Sequence, residues 1–86
     1  MEEDKFGQEA SQLILVMARS LVDSPKEVEV TASAGNFQTV LFSLKCAKSD
    51  LGKVIGRGGK TAAAMRQIIS SVAAKHGKRA VLDIEE

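Results

Sequence analysis

Side chains able to do covalent or metal chemistry are scarce in this 86-residue chain. It has one His and one Cys, His76 and Cys46, too few and too far apart for a metal-ligand cluster. Ser70-Ser71 has no neighbouring base to turn either hydroxyl into a nucleophile. What stands out is Leu51-Gly52-Lys53-Val54-Ile55-Gly56-Arg57-Gly58-Gly59-Lys60-Thr61. Its tail, Gly59-Lys60-Thr61, imitates the end of a nucleotide-binding P-loop. The position where that motif needs its first Gly is Val54, and a short helix, rather than a strand, is expected before the loop. A dinucleotide-binding pattern starting at Gly56 would need its last Gly at Thr61. Both readings fail. What is left is Gly-x-x-Gly, Gly56 to Gly59, between two helical stretches. Glycines remove the Cβ atoms that would hold a polymer backbone away. A helix starting near Lys60 turns its free N–H groups and positive dipole end toward the loop, which suits phosphate. Lys53, Arg57 and Lys60 add cations, while Val54, Ile55, Ala62 and Ala63 offer an apolar floor. A phosphate track beside an apolar floor can hold a single strand with its bases turned inward. By itself the pattern is also compatible with a plain tight turn.

The charge distribution sharpens the picture. Net charge is +1, yet residues 1–44 carry three basic and seven acidic side chains, and residues 45–79 carry nine basic ones against Asp50 alone. A basic block in a near-neutral chain is a possible phosphate footprint, or else a solvated surface balanced by the acidic segment folded beside it. Lys45, Lys48, Lys75, Lys78 and Arg79 read as general solvated charge, and Arg66 as a residue able to reach a bound strand or a partner chain. The acidic start lacks the basic and apolar regions of a secretory signal, and the longest apolar run, 13–18, is far short of the ~20 residues of a membrane span. A lone Cys cannot form an internal disulfide; a reducing, cytoplasmic location is expected.

One domain is all this length allows. Residues 1–7 read as a loose leader ending at Gly7, and 8–86 as the domain. From Gln8 to Val22 the spacing of Ala10, Leu13, Ile14, Met17 and Leu21 predicts a helix, stopped by Pro25. Leu15 and Val16 widen its apolar surface and suit contact with a second chain or cover by the leader. Lys26–Ser33 alternates with Val28, Val30 and Ala32 inward, and Phe37–Cys46 with Val40, Phe42, Leu44 and Cys46 inward. Ala34-Gly35-Asn36 supplies the turn of a hairpin. Ser49 or Asp50 is expected to cap a short helix ending at Gly56. Lys60–His76 predicts a longer helix with the stripe Met65, Ile68, Ile69 and Val72, stopped at Gly77, with His76 a helix-end residue. A last strand, 79–85, turns Ala80, Leu82 and Ile84 inward. The expectation is an α+β fold, α-β-β-α-α-β, with three helices packed on one face of a three-stranded sheet.

With these residues in place, Val54-Ile55-Gly56-Arg57-Gly58-Gly59-Lys60 resembles the signature of KH domains, whose GXXG loop clamps the backbone of about four nucleotides. The helix-strand-strand prefix resembles the type II arrangement. From about Gln8 to Glu86 the chain is similar to the small stand-alone KH proteins called KhpA, through Leu21-Val22-Asp23-Ser24-Pro25, Val28-Glu29-Val30, Asp50 to Gly56 and Gly77-Lys78-Arg79. The resemblance implies a bacterial, cytoplasmic, non-enzymatic protein that binds single-stranded RNA and acts as an RNA chaperone. It also implies a homodimer, or a heterodimer with a KhpB/Jag/EloR-type KH protein, and a link in some bacteria to cell shape and envelope synthesis. It assigns RNA contact to Lys53, Val54, Ile55, Gly56, Arg57, Gly58, Gly59, Lys60, Thr61 and Ala63. The third loop position, Gly58, departs from the longer polar side chain often found there.

With no Trp or Tyr and only Phe6, Phe37 and Phe42, the composition argues against an aromatic stacking platform like that of RRM or OB folds. Aliphatic contact and hydrogen bonds are left to hold the bases, which implies modest affinity and loose sequence preference. The alternative is a protein-interaction adaptor whose surface mainly pairs chains, with RNA incidental.

Overall fold

The computed structural model describes residues 5–86. Helix α1 (Lys5–Leu21) begins earlier than its periodicity suggests. Phe6 is 1% exposed and stands edge-on to Phe42, with ring centroids 5.8 Å apart. Lys5, Phe6 and Gly7 therefore belong to the folded body and not to a leader; the rest of the expected leader lies outside the described residues. The buried face of α1 is Phe6, Ala10, Ile14 and Ala18, so Leu21 is left exposed. Small Ala10 and Ala18 are in the core, while bulkier Leu13 and Met17 are only partly buried against it.

A tight helical turn, Pro25–Glu27, leads into β1 (Glu29–Ala34), which pairs antiparallel with β2 (Thr39–Lys45). Val28 is buried and Val30 half-buried, but Ala32, though placed inward by its alternation, is exposed. Gly35 and Asn36 take part in the hairpin turn, but its positive φ angles do not fall on them. Phe37 and Gln38 are its central residues, at φ 54° and 62°, with Thr39 N–H donating to Asn36 O at 3.1 Å. After β2 come a tight turn, Lys48–Asp50, then α2 (Leu51–Ile55), the glycine loop, and α3 (Lys60–Lys75). Strand β3 (Arg79–Ile84) returns parallel to β2, in register from Thr39↔Arg79 to Leu44↔Ile84.

The sheet order is β1-β2-β3. The central strand buries Val40, Phe42 and Leu44 against the helices. From α3 the buried residues are Ala62, Met65, Ile69 and Ala73. Ile68, expected inward, is 44% exposed, and Val72 is half-buried. Beyond Lys75 the helix closes with Lys78 N–H to Ala73 O at 2.8 Å and Gly77 N–H to Ala74 O at 3.0 Å, a pattern that satisfies its last carbonyls. The α+β order and the helices packed against a three-stranded sheet are as expected from the sequence; the sheet is mixed, with one parallel pair. No helix among the described residues is long and apolar enough to cross a membrane.

Candidate nucleic-acid interface

The glycine loop lies in the crossover from β2 to β3, between α2 and α3. Gly56 N–H donates to Gly52 O at 2.8 Å and ends α2, and the chain leaves in an extended turn at φ 80°, ψ 166°. A Cβ here would overlap Thr61 Oγ1 and come within 2.7 Å of the Thr61 Cβ and backbone N. The glycine is thus imposed from inside, by the first turn of α3. Gly58 (φ 63°) and Gly59 (φ 78°) differ: a Cβ on either meets nothing within 4 Å. Left-handed backbone favours glycine there, and the space outside is open. Gly59 N–H donates to Gly56 O at 3.0 Å, closing the turn, and no side chain caps the start of α3. Arg57, Gly58, Lys60 and Ala63 are exposed, while Ile55, Gly59 and Thr61 are half-buried. An open main-chain turn at a helix N-terminus, flanked by two exposed cations, can accept a phosphate.

Two of the expected contact residues are spent otherwise. Val54 is 0% exposed and packs in the core, so it does not face a ligand. Lys53 Nζ lies 3.3 Å from Asp23 Oδ2 and 3.9 Å from Asp50 Oδ1. Its charge is balanced within the protein. Asp50, expected to cap α2 locally, makes no side-chain cap. Instead its 1%-exposed carboxylate accepts the Asp23 N–H at 3.2 Å and the Ser24 N–H at 3.0 Å. It ties the start of α2 to the end of α1 across more than twenty residues of sequence. Cys46 is half-buried; burial, then the Asp50 charge, push its thiol up from the ordinary value, as befits a packing residue.

Beyond the loop, a groove runs between α3 and β3. One part, about 240 Å³, is lined by Arg66, Ile69, Ser70, Ala80, Val81 and Leu82. Arg66 Nε donates to Leu82 O at 3.0 Å, so the guanidinium sits on the strand edge. A second part, about 350 Å³, shares Ser70, Ala80 and Val81 and adds Thr39, Lys78 and Arg79. This groove was not legible in the sequence, because its walls come from two elements whose pairing the residue pattern does not show. A larger cleft, about 620 Å³, lies between α1 and β1, lined by Gln8, Ser11, Gln12 and Ala32 among others, with no charged side chain among the described residues that line it. His76 stands at the end of α3, its ring 5.5 Å from Phe6 and its Nε2 3.8 Å from Glu9 Oε1, in the helix-end role expected of it. Among the described residues no group of three His, Cys, Asp or Glu could hold a metal ion.

The comparisons with known proteins point the same way as this geometry. A family model described as KhpA/KhpB, KH domain matches residues 11–84. The RNA-binding protein KhpA of Clostridium acetobutylicum is 45% identical over 73 residues, covering 85% of this chain and 96% of the relative. That of Caldanaerobacter subterraneus subsp. tengcongensis is 40% identical over 73 residues, with the same coverage. That of Borreliella burgdorferi is 39% identical over 80 residues, or 93% of this chain and 95% of the relative. The matched span takes in the strand pair, the loop-bearing crossover and the returning strand, and so the chain belongs to the KhpA/KhpB family of KH domains.

Proposed function

We propose that the chain binds single-stranded RNA, without catalysis, by seating a phosphate on the Gly56–Gly59 turn and laying the adjoining nucleotides along the α3–β3 groove. The observation that carries this reading is the unobstructed space over Gly58 and Gly59 at the uncapped start of α3. Arg57 and Lys60 neutralise the phosphates, Gly56 and Thr61 set the turn, and Ile55 and Ala63 supply its apolar border. The relatives bearing the name RNA-binding protein KhpA support it. So does the basic block of residues 45–79.

Gly58→Asp places a carboxylate in the phosphate track, in space that holds nothing else. Loss of the gel shift of an unstructured RNA, with an unchanged circular dichroism spectrum, is expected. A shift equal to that of the unaltered protein overturns the clamp.

The finer role we propose is that of a cytoplasmic RNA chaperone working as a homodimer or with a KhpB/Jag/EloR-type KH protein, in service of cell shape and envelope synthesis. The shared KhpA/KhpB description supports the pairing. A second reading, a pairing module with incidental RNA contact, is favoured by exposed Val16 (59%) and Ile68 (44%). Sedimentation of Gly58→Asp separates them: if pairing and the cellular phenotype both survive the loss of RNA binding, the pairing module is correct.

A further inference from the structure

One aromatic side chain is displayed to solvent. Phe37 is 87% exposed, while Phe6 and Phe42 are each 1% exposed in the core. Its backbone is left-handed, at φ 54°, as is that of Gln38 at φ 62°. Bulky residues rarely adopt this conformation, and hairpin turns of this kind ordinarily take Asn or Gly. The turn is fixed on three sides: Thr39 N–H to Asn36 O at 3.1 Å, Gly35 N–H to Thr39 O at 2.8 Å, and Arg79 N–H to Gln38 O at 3.0 Å. The last bond joins the Phe37 turn to the start of β3, where Lys78 and Arg79 line the far part of the α3–β3 groove.

The glycine loop and this turn thus lie at opposite ends of α3. Sixteen residues of helix span about 24 Å, the length of about seven stacked nucleotides at ~3.4 Å each. The groove parts share Ser70, Ala80 and Val81, so the groove is continuous from Arg66, six residues along α3 from Lys60, to Lys78. A strained, solvent-held ring, one residue from the carbonyl that bonds the Arg79 N–H at the end of a groove, has the composition of a base-stacking platform with a cationic neighbour. We propose that Phe37 stacks on an RNA base beyond the nucleotides held by the glycine loop, with exposed Arg79 on an adjoining phosphate, so that the binding track extends along α3. This inference rests on the RNA-binding reading above and lengthens its site.

Because the chain has no Trp, Phe37→Trp introduces a single indole whose emission reports on stacking. An unstructured 10-nucleotide RNA is expected to bind more tightly than a 4-nucleotide one. Phe37→Ala lowers affinity for the 10-mer about 5- to 100-fold and leaves the 4-mer within about 2-fold. Phe37→Trp restores 10-mer binding and its emission is quenched by it. Phe37→Asn, which suits the left-handed turn, raises Tm while losing 10-mer affinity, so a folding defect is not mistaken for a lost contact. Unchanged 10-mer affinity in Phe37→Ala, or an unquenched indole with RNA bound, overturns the platform and leaves the glycine clamp standing. Emission that shifts with protein concentration in the absence of RNA overturns it in favour of a contact between copies. Failure of the unaltered protein to bind either RNA overturns the functional reading itself, and this inference with it.

Discussion

Gly56 and Gly58 stand two residues apart and fail in opposite ways. Gly56→Ala drives a methyl group into Thr61 at a left-handed position, so it damages the fold. A loss of about 2 kcal/mol, or roughly 10 °C in Tm, is expected from thermal denaturation. A Tm within a degree of the unaltered protein rejects the packing role assigned here to Gly56. Gly58→Asp meets no neighbour, so apart from the strain of a side chain at φ 63° its expected effect is on binding. The sequence shows both as members of one motif, and the distinction needs the first turn of α3 in place. Lys53 is a similar case. It precedes the loop by three residues and reads as a phosphate contact, yet Asp23 returns from thirty positions earlier to share it with Asp50. Long-range ion pairing of this kind leaves no periodic trace. For Phe37 the aromatic count says nothing about exposure; only the turn that carries it does.

At the level of elements, α2 depends on a residue outside itself. It is five residues long, too short to persist without tertiary support. The Asp50 carboxylate supplies such support by taking the N–H groups of Asp23 and Ser24. Asp50→Ala leaves two backbone donors without that partner, with a cost of about 2 kcal/mol in chemical denaturation. Faster amide hydrogen exchange at residues 23 and 24 is expected to accompany it. Exchange rates that stay the same reject the tie. Element order and type were readable because periods of 3.6 and 2 alternate cleanly along the chain. The ends were less so. The start of α1 hides behind charged residues and Gly7, with Phe6 the anchor that extends it. In α3 the apolar stripe contains both Ile68 and Ile69, and the period alone does not say that Ala73, rather than Ile68, turns inward.

For the whole molecule, the basic block predicts an ionic contribution to RNA affinity. With three to four phosphates neutralised, log K falls with log salt at a slope of roughly −2 to −3. Arg57→Ala flattens that slope by about one, whereas Lys53→Met leaves it unchanged, since Lys53 is neutralised by Asp23 and Asp50. A slope that flattens equally in both variants returns Lys53 to the phosphate track. The loop and the far end of the groove are joined by one uninterrupted helix, α3. Adding a single residue to it would rotate one end by about 100° against the other, so only steps of roughly a full turn, near 5.4 Å, keep both ends on the same side. On the proposed RNA track the helix acts as a ruler, and descendants of this chain would lengthen or shorten their footprint only in quanta of about one and a half stacked bases.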